Sequence, residues 1–568
     1  MATLVELLTA RVREAAVAAG FDGALIDPVA ATRNPEHGDY QSNSSFKLAK
    51  VARTNPRQVA TAIAEKLSAD DMIAGVEVAG AGFLNLRMSE AFIARQLKAQ
   101  LDDPGLGVPQ QSGTVIIDYS SPNVAKRMHV GHLRSTIIGN ALDRMHRFAG
   151  YTVIADNHIG DWGTQFGQLT VAWRLWANEA DFEADPIEEL NRIYVKFHVE
   201  AETNPALEDA AREQIVKLQA GEPENLALWR RFIDASLREF NAIYARLDVR
   251  FDVVHGESHY APMLVGLVDE LLASGKAQHS DGAVIVSFDE STGLGDKPML
   301  IRKRDGAALY ATSDLAAVRY RLDTWNPARI LYVTDTRQQL HFRQVFTASK
   351  ALGWDSAELV HVWFGLLSLP EGAMATRKGN VINLIDVLDE AVSRARKLVD
   401  EKSPALDEDE RAAVAEAVGI GAVRYADLSQ NPQSNVTFEW DRMLSLDGNT
   451  APFLMYSYAR CRNIQAKGNI EDRSLSAAPP THPLEHELAG ALLRFPEAFA
   501  SSLANYRPNI LCDYLFNLAT LFNRFYYELP VLRSEGAERA ARLDLVEATA
   551  RVLGAGMGLV GIRPLERM

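Results

Sequence analysis

Residues Thr114 to Gly139 read TVIIDYSSPNVAKRMHVGHLRSTIIG, and the reading of this stretch decides the fold. The β-branched run Thr114 to Ile117 predicts a buried strand, Ser-Ser-Pro-Asn predicts a turn, and helical periodicity sets in from about Gly131. Between strand and helix stand His129, Val130, Gly131 and His132. Two imidazoles flanking a glycine where a helix begins can donate to phosphate oxygens, and the missing Cβ lets a flat ring lie against the backbone. The pattern implies a nucleotide site. A zinc site is disfavoured, because no third Cys, Asp or His lies at ligand spacing nearby. The plain alternative is a pair of capping or core histidines. A dinucleotide fold is disfavoured because no G-x-G-x-x-G follows the strand.

Working outward, Tyr151 to Asp156 reads as the next strand, spaced as a right-handed parallel crossover requires. In such open sheets ligands bind beyond the carboxyl ends of the strands, which is where HVGH falls. His158 to Gln165, HIGDWGTQ, is glycine-rich and reads by itself as a tight turn. Residues from roughly 168 to 300 look inserted: charged helices through Leu247, then a β stretch at Gly282 to Phe288. The sheet is expected to resume with Met299 to Arg304 and Ala307 to Thr312, with a helix entered at Ser313. Strands Arg329 to Thr334 and Leu359 to Phe364 follow, then helix through Glu401. From about Pro404 to Met568 apolar residues recur at helical spacing with no convincing strand, which predicts a bundle. Residues 1 to about 110 read as a small α/β module, with an amphipathic first helix, a polar loop at Asn34 to Asp39, a helix from about Ser42 and an apolar Val76 to Leu86 segment. Turn-rich sequence from Pro104 to Gly113 closes it. The fold class is therefore α/β: a doubly wound parallel-sheet domain, 111–403, between an N-terminal module, 1–110, and a helical bundle, 404–568.

At 568 residues the chain exceeds what one core organises. No apolar run is long enough to span a bilayer, and Glu6 and Glu14 in the first helix argue against a transit peptide. Cys461 and Cys512, the two cysteines, stand in helical contexts and read as buried small hydrophobes, so a cytoplasmic location is expected. A net charge of −15 points away from nucleic acid only when read globally, because phosphate contacts act locally.

HVGH resembles the HIGH-type signature of class I aminoacyl-tRNA synthetases, and Ser120 to Leu142, SSPNVAKRMHVGHLRSTIIGNAL, is very similar to arginyl-tRNA synthetases. HxGH alone is weak, since nucleotidylyltransferases carry similar motifs; the extended string is strong. Further similarity to that family lies in GDYQSN (Gly38 to Asn43), AGAGFLNLRM (Ala79 to Met88), the stretch from Tyr506 to Leu532 and the closing GLVGIRPLERM. The resemblance implies an N-terminal tRNA-binding module, a connective insertion at about 168–300 and an anticodon-binding bundle. It implies a two-step reaction: arginine attacks the α-phosphorus of ATP, taken with Mg2+, and the 2′-hydroxyl of the terminal ribose of tRNA(Arg) then takes the arginyl group. In this family bound tRNA is needed for activation. A monomer without structural zinc is expected.

Site residues follow from the same resemblance. His129, Gly131 and His132 would contact ATP together with Met374, and Lys126 would add charge. The second class I signature, KMSKS, aligns with Ala373 to Asn380, so both lysine positions are lost, to Ala373 and Thr376. Lys126 is the first replacement candidate, with Arg377 and Lys378 supporting, although by itself the latter pair reads as a solvated loop. A guanidinium calls for a carboxylate, whose two oxygens match its planar fork. Tyr310 and Asp314, at i, i+4, match the family's side-chain pocket, with Gln338, and Asp118 and Asn123 match residues holding the substrate. Alone, Asp314 would read as a helix N-terminal carboxylate. For RNA, Phe453, Tyr456, Tyr458 and the terminal Met568 are candidates, against the plainer reading of the aromatic stripe as core. The rivals are a class I synthetase for another amino acid and an inactive RNA-binding relative; intact HVGH and pocket positions argue against the second.

Overall fold

The computed structural model describes all residues except 1–2, 33, 68–69, 305, 308, 369–381 and 469–474. The chain divides into two compact units: residues 112–397 with 426–443, and residues 1–111 with 398–425 and 444–568.

In the first of these, four parallel strands lie in the order Glu358–Phe364, Arg329–Asp335, Thr114–Asp118, Thr152–Asp156. The order in which strands are added reverses between Thr114–Asp118 and Arg329–Asp335, so the crevice at their carboxyl ends is the topological switch point. Val115, Ile116 and Ile117 are all buried, as the central strand of a sheet covered on both faces requires. Burial contributes roughly 1.5–3 kcal/mol for each such side chain. The HVGH helix, Val130–Phe148, returns across the sheet and is locked there by Ser135, whose Oγ donates to the Val333 carbonyl at 2.6 Å and accepts from Ser120 N–H at 2.9 Å. The helices Thr164–Trp176, Pro186–Ala201 and Pro223–Arg246 bury a core of their own around Phe166, Leu190, Phe197 and Phe232.

Three expectations need correction. Met299 to Arg304 does not resume the parallel sheet: the strand is Met299–Arg302, paired antiparallel with Ala283–Val286 in a separate three-stranded sheet. Its burial alternates, with Met299 and Ile301 inside and Leu300 39% exposed, which marks a one-sided strand. Nor do the described residues of Ala307 to Thr312 form a strand; the helix begins at Tyr310, not Ser313, and runs Tyr310–Trp325. Thr312, the third residue of the helix, accepts from Leu309 N–H at 3.5 Å and so caps the helix start, while its Oγ1 donates to the Ile301 carbonyl. A two-residue strand, Val436–Thr437, pairs with Leu367–Ser368 where only helix was expected.

In the other unit, the hairpin Ile73–Ala79 and Phe83–Met88 turns through Gly80 and Gly82 at φ 54° and 143°, conformations a side chain would strain. Helices from Ala451–Gly468 to Gly536–Leu559 form the bundle. Within this unit His486, on the helix Pro483–Leu493, bridges Asp39 at 2.7 Å and Glu90 at 2.8 Å. Burial lowers the basicity of this imidazole, but the two carboxylates prevail and raise it to about 9. A histidine whose folded value is raised contributes stability fully below about 6.5, its unfolded value, and loses it as pH rises through about 9. The difference corresponds to about 3 kcal/mol. We therefore expect His486→Gln to lower the melting temperature strongly at pH 6.5 and much less at pH 10, read by thermal denaturation of wild type and variant across that range. Glu487, Arg87, Arg494 and Arg524 line the same cleft.

Candidate active site

The phosphate-binding candidates are built by the backbone around them. His129 caps the helix: its Nδ1 accepts from Gly131 N–H at 3.0 Å, while His132 Nδ1 accepts from His129 N–H at 3.1 Å. With both Nδ1 atoms acting as acceptors, each neutral ring carries its proton on Nε2. Burial, with His129 beside it, pushes His132 down to about 3; burial and then Arg337 lower His129. The rings lie 4.0 Å apart. The pair is therefore two neutral N–H donors at a helix N-terminus, suited to anionic oxygens. A Cβ on Gly131 would stand 2.7 Å from His129 Cε1 and displace that ring.

The preceding loop is strained: Ser120, Ser121 and Ala125 have φ of 74°, 49° and 62°. Ser120 is fixed through its Oγ to Thr136 and Tyr244, and Ser121 N–H donates to Asn157. This loop presents Asn123 and Lys126, both exposed. Asn123 lies against Gly160, where a Cβ would come 2.1 Å from its Oδ1; this is the reason for glycine in HIGDWG. Lys126 Nζ sits 5.2 Å from the centre of the Tyr194 ring.

Tyr310 begins its helix and Asp314 follows one turn later, and the sequence reading missed what joins them. His341 donates Nε2–H to Asp314 at 2.6 Å and its ring lies 4.9 Å from that of Tyr310. Burial opposes ionisation of Asp314, but the His341 hydrogen bond prevails and holds the carboxyl below its ordinary range. Gln338 closes the exposed turn Thr336–Gln338. Glu257, also missed, is raised to about 7 by burial and then by Asp314 and Asp161, with His158 opposing. Asp118 is less free than the sequence implied: its Oδ2 accepts from the buried Arg321 at 2.7 Å, the same nitrogen donates to Asp156 at 2.8 Å, and Oδ1 accepts from Ser121 Oγ at 3.0 Å. The result is a carboxylate-rich crevice in which Arg321 already neutralises part of the charge. Met374, Arg377 and Lys378 lie outside the described residues. Among the described residues no group of His, Cys, Asp and Glu is arranged to hold a metal ion.

In the bundle, Tyr456 is exposed beside Arg460, whose guanidinium lies 4.8 Å from the rings of Tyr456 and Tyr526 and 5.2 Å from that of Tyr527. Tyr526 and Tyr527 were legible only as one end of an amphipathic helix, FNRFYYE, and Arg460 only as a residue of PFLMYSYARCR. Phe453 instead packs 5.5 Å from Phe516, and Tyr458 packs against Gly554. Met568 is half-buried.

A parallel sheet with a capped histidine pair at its switch point is the catalytic architecture of class I tRNA synthetases, and residues 98–440 match the family described as tRNA synthetases class I (R), catalytic domain. Residues 4–88 match the arginyl tRNA synthetase N terminal domain and residues 454–568 the DALR anticodon binding domain. The chain is 45% identical over 553 residues to the arginine–tRNA ligase of Fusobacterium nucleatum, covering 96% of this chain and 97% of that one. It is 42% identical over 585 residues to that of Laribacter hongkongensis, covering all of both. Among solved structures, arginyl-tRNA synthetases from Plasmodium falciparum and Thermus thermophilus superpose with TM-scores of 0.83 and 0.82 at 26% and 25% identity, each over the whole of both chains. This chain belongs to the arginyl-tRNA synthetase family.

Proposed function

We propose that this protein is an arginine–tRNA ligase: it forms arginyl-adenylate from L-arginine and ATP, taken as its Mg2+ complex, and transfers arginine to the 2′-hydroxyl of the terminal ribose of tRNA(Arg), acting as a cytosolic monomer. The observation that carries this reading is the neutral histidine pair at the switch point of a crevice whose carboxylate, Asp314, is kept ionised for a cation. No helix of the described residues is long and apolar enough to cross a membrane.

In the first step a carboxylate oxygen of arginine attacks the α-phosphorus and pyrophosphate leaves with the electrons of the broken P–O bond. The attacking groups belong to the substrates, so the protein supplies position and charge. His129 and His132 donate to phosphate oxygens. Asp314 receives the guanidinium, with Tyr310 and Gln338 beside it and Glu257 as a second carboxylate that ionises when the cation arrives. Asn123 and Asp118 hold the amino end. Lys126 leaves the Tyr194 ring for the pyrophosphate, with Arg337, Arg377 and Lys378 as supporting charges. On the bundle, Tyr456, Tyr526 and Tyr527 around Arg460 offer stacking faces for unpaired bases, and the N-terminal module supplies a second RNA contact.

The reading is tested by charging purified tRNA with labelled arginine: tRNA ending in 3′-deoxyadenosine is expected to be charged and tRNA ending in 2′-deoxyadenosine is not. Lys126→Ala is expected to lower kcat for adenylate formation by about 10²-fold, the scale of one lost transition-state donor, with KM for arginine little changed. Equal slowing by Lys378→Ala with Lys126→Ala silent reverses that assignment.

A further inference from the structure

Two residues beyond the histidine pair, Arg134 is buried inside the first turns of the HVGH helix with every N–H engaged. Its Nε donates to both oxygens of Asp427, at 3.0 and 3.1 Å. Nη1 donates to the carbonyls of Gly365, at 2.7 Å, and Ser434, at 2.9 Å. Nη2 donates to the Pro432 carbonyl at 3.2 Å and lies 2.8 Å from Asp427. Gly365 is four residues before the segment 369–381 that carries MATRKGN. The far side of that segment is also tied to the HVGH turn: Val130 N–H donates to the Ile382 carbonyl at 3.1 Å, and Leu384 N–H to the Met128 carbonyl at 2.8 Å. The downstream tie is made by backbone. The upstream tie is made by one side chain. Gly365 has no room for another residue, since a Cβ there would meet the Ser434 carbonyl oxygen at 2.5 Å.

We propose that Arg134 is a positioning residue for adenylate formation: its planar fork fixes the start of the HVGH helix against Gly365, Asp427, Pro432 and Ser434, and so holds His129 and His132 in place. The proposal rests on the ligase reading above. Four residues, Asp427 at the end of a helix, Gly365, and Pro432 and Ser434 in one loop, are joined by one planar guanidinium, which a lysine ammonium cannot reproduce although it keeps the charge. The histidines act on the phosphates of ATP, so loss of their placement is felt in the first step and not in transfer.

The test uses full-length Arg134→Lys and Asp427→Asn, with tRNA present, and takes Arg542→Lys as control. Arg542 forms a comparably buried pair with Glu485 in the other unit, at 2.7 Å, and stands for loss of stability alone. Arg134→Lys is expected to lower kcat of arginine-dependent ATP–pyrophosphate exchange at least 30-fold, with KM for arginine and the Kd for tRNA within threefold. Transfer from supplied arginyl-adenylate to tRNA is expected to stay within threefold. Asp427→Asn, which keeps an acceptor oxygen, is expected to lose less, and it answers the question if the lysine variant does not fold. Equal slowing of exchange and transfer, or a loss matched by Arg542→Lys, overturns the proposal, as does unchanged exchange. Absence of exchange in the wild type would instead overturn the ligase reading.

Discussion

Replacing Asp314 by alanine is expected to cost about 2–5 kcal/mol of kcat/KM for arginine, the usual effect of removing one partner from a buried charge pair. The Asp314 carboxylate is mostly buried, held by His341 at 2.6 Å, and stands one turn after Tyr310 on the same helix. A guanidinium entering the variant would be desolvated without a partner. In the proposed reaction ATP is held by the HVGH turn, so its affinity should change little. Steady-state kinetics with each substrate varied in turn reads both effects. A variant within a few-fold of wild type for arginine would remove Asp314 from the pocket. Asp314→Asn, which retains an acceptor for His341 but no charge, is expected to fall nearly as far.

The second large effect concerns the order of events. Purified enzyme free of RNA is expected to show negligible arginine-dependent pyrophosphate exchange, and robust exchange once cognate tRNA is added. Ala373 and Thr376 carry no charge where the signature lysines would stand, and the stretch that contains them leads through the helix Leu384–Lys402 toward the bundle sequence. A ligand that binds the competent arrangement better than the idle one shifts the equilibrium by that difference in affinity. Transfer itself is not required, so tRNA with an oxidised terminal ribose should activate exchange equally well. Full exchange in nuclease-treated enzyme would sink this prediction and leave the family assignment standing.

The strand–turn–helix around HVGH was legible because its signals are local: a β-branched run, turn residues and a 3.6-residue period within one stretch. The same logic failed at Met299–Arg302, since apolar content alone does not distinguish a two-faced parallel strand from a one-faced antiparallel one until the exposure of Leu300 is known. It failed again at Tyr310, where a single hydroxyl, that of Thr312, secures the helix start. Pocket residues were nominated through family resemblance. The groups that tune them, His341 on Asp314, Arg321 on Asp118 and Glu257 facing Asp314, come from positions 27, 203 and 57 residues away and have no local signature. For the same reason Arg134 read as an ordinary helix residue, although its partner Asp427 lies 293 residues further on. The aromatic stripe divided: Tyr456 joins the exposed cluster around Arg460, while Phe453 packs on Phe516.

The central claim, that this crevice activates arginine, is tested most directly by isotopic ATP–pyrophosphate exchange in the presence of tRNA, with each of the twenty amino acids supplied in turn. Exchange driven by arginine, with lysine and the other eighteen amino acids near background, is the predicted result. Exchange driven as well by another amino acid, or none with arginine, would contradict it.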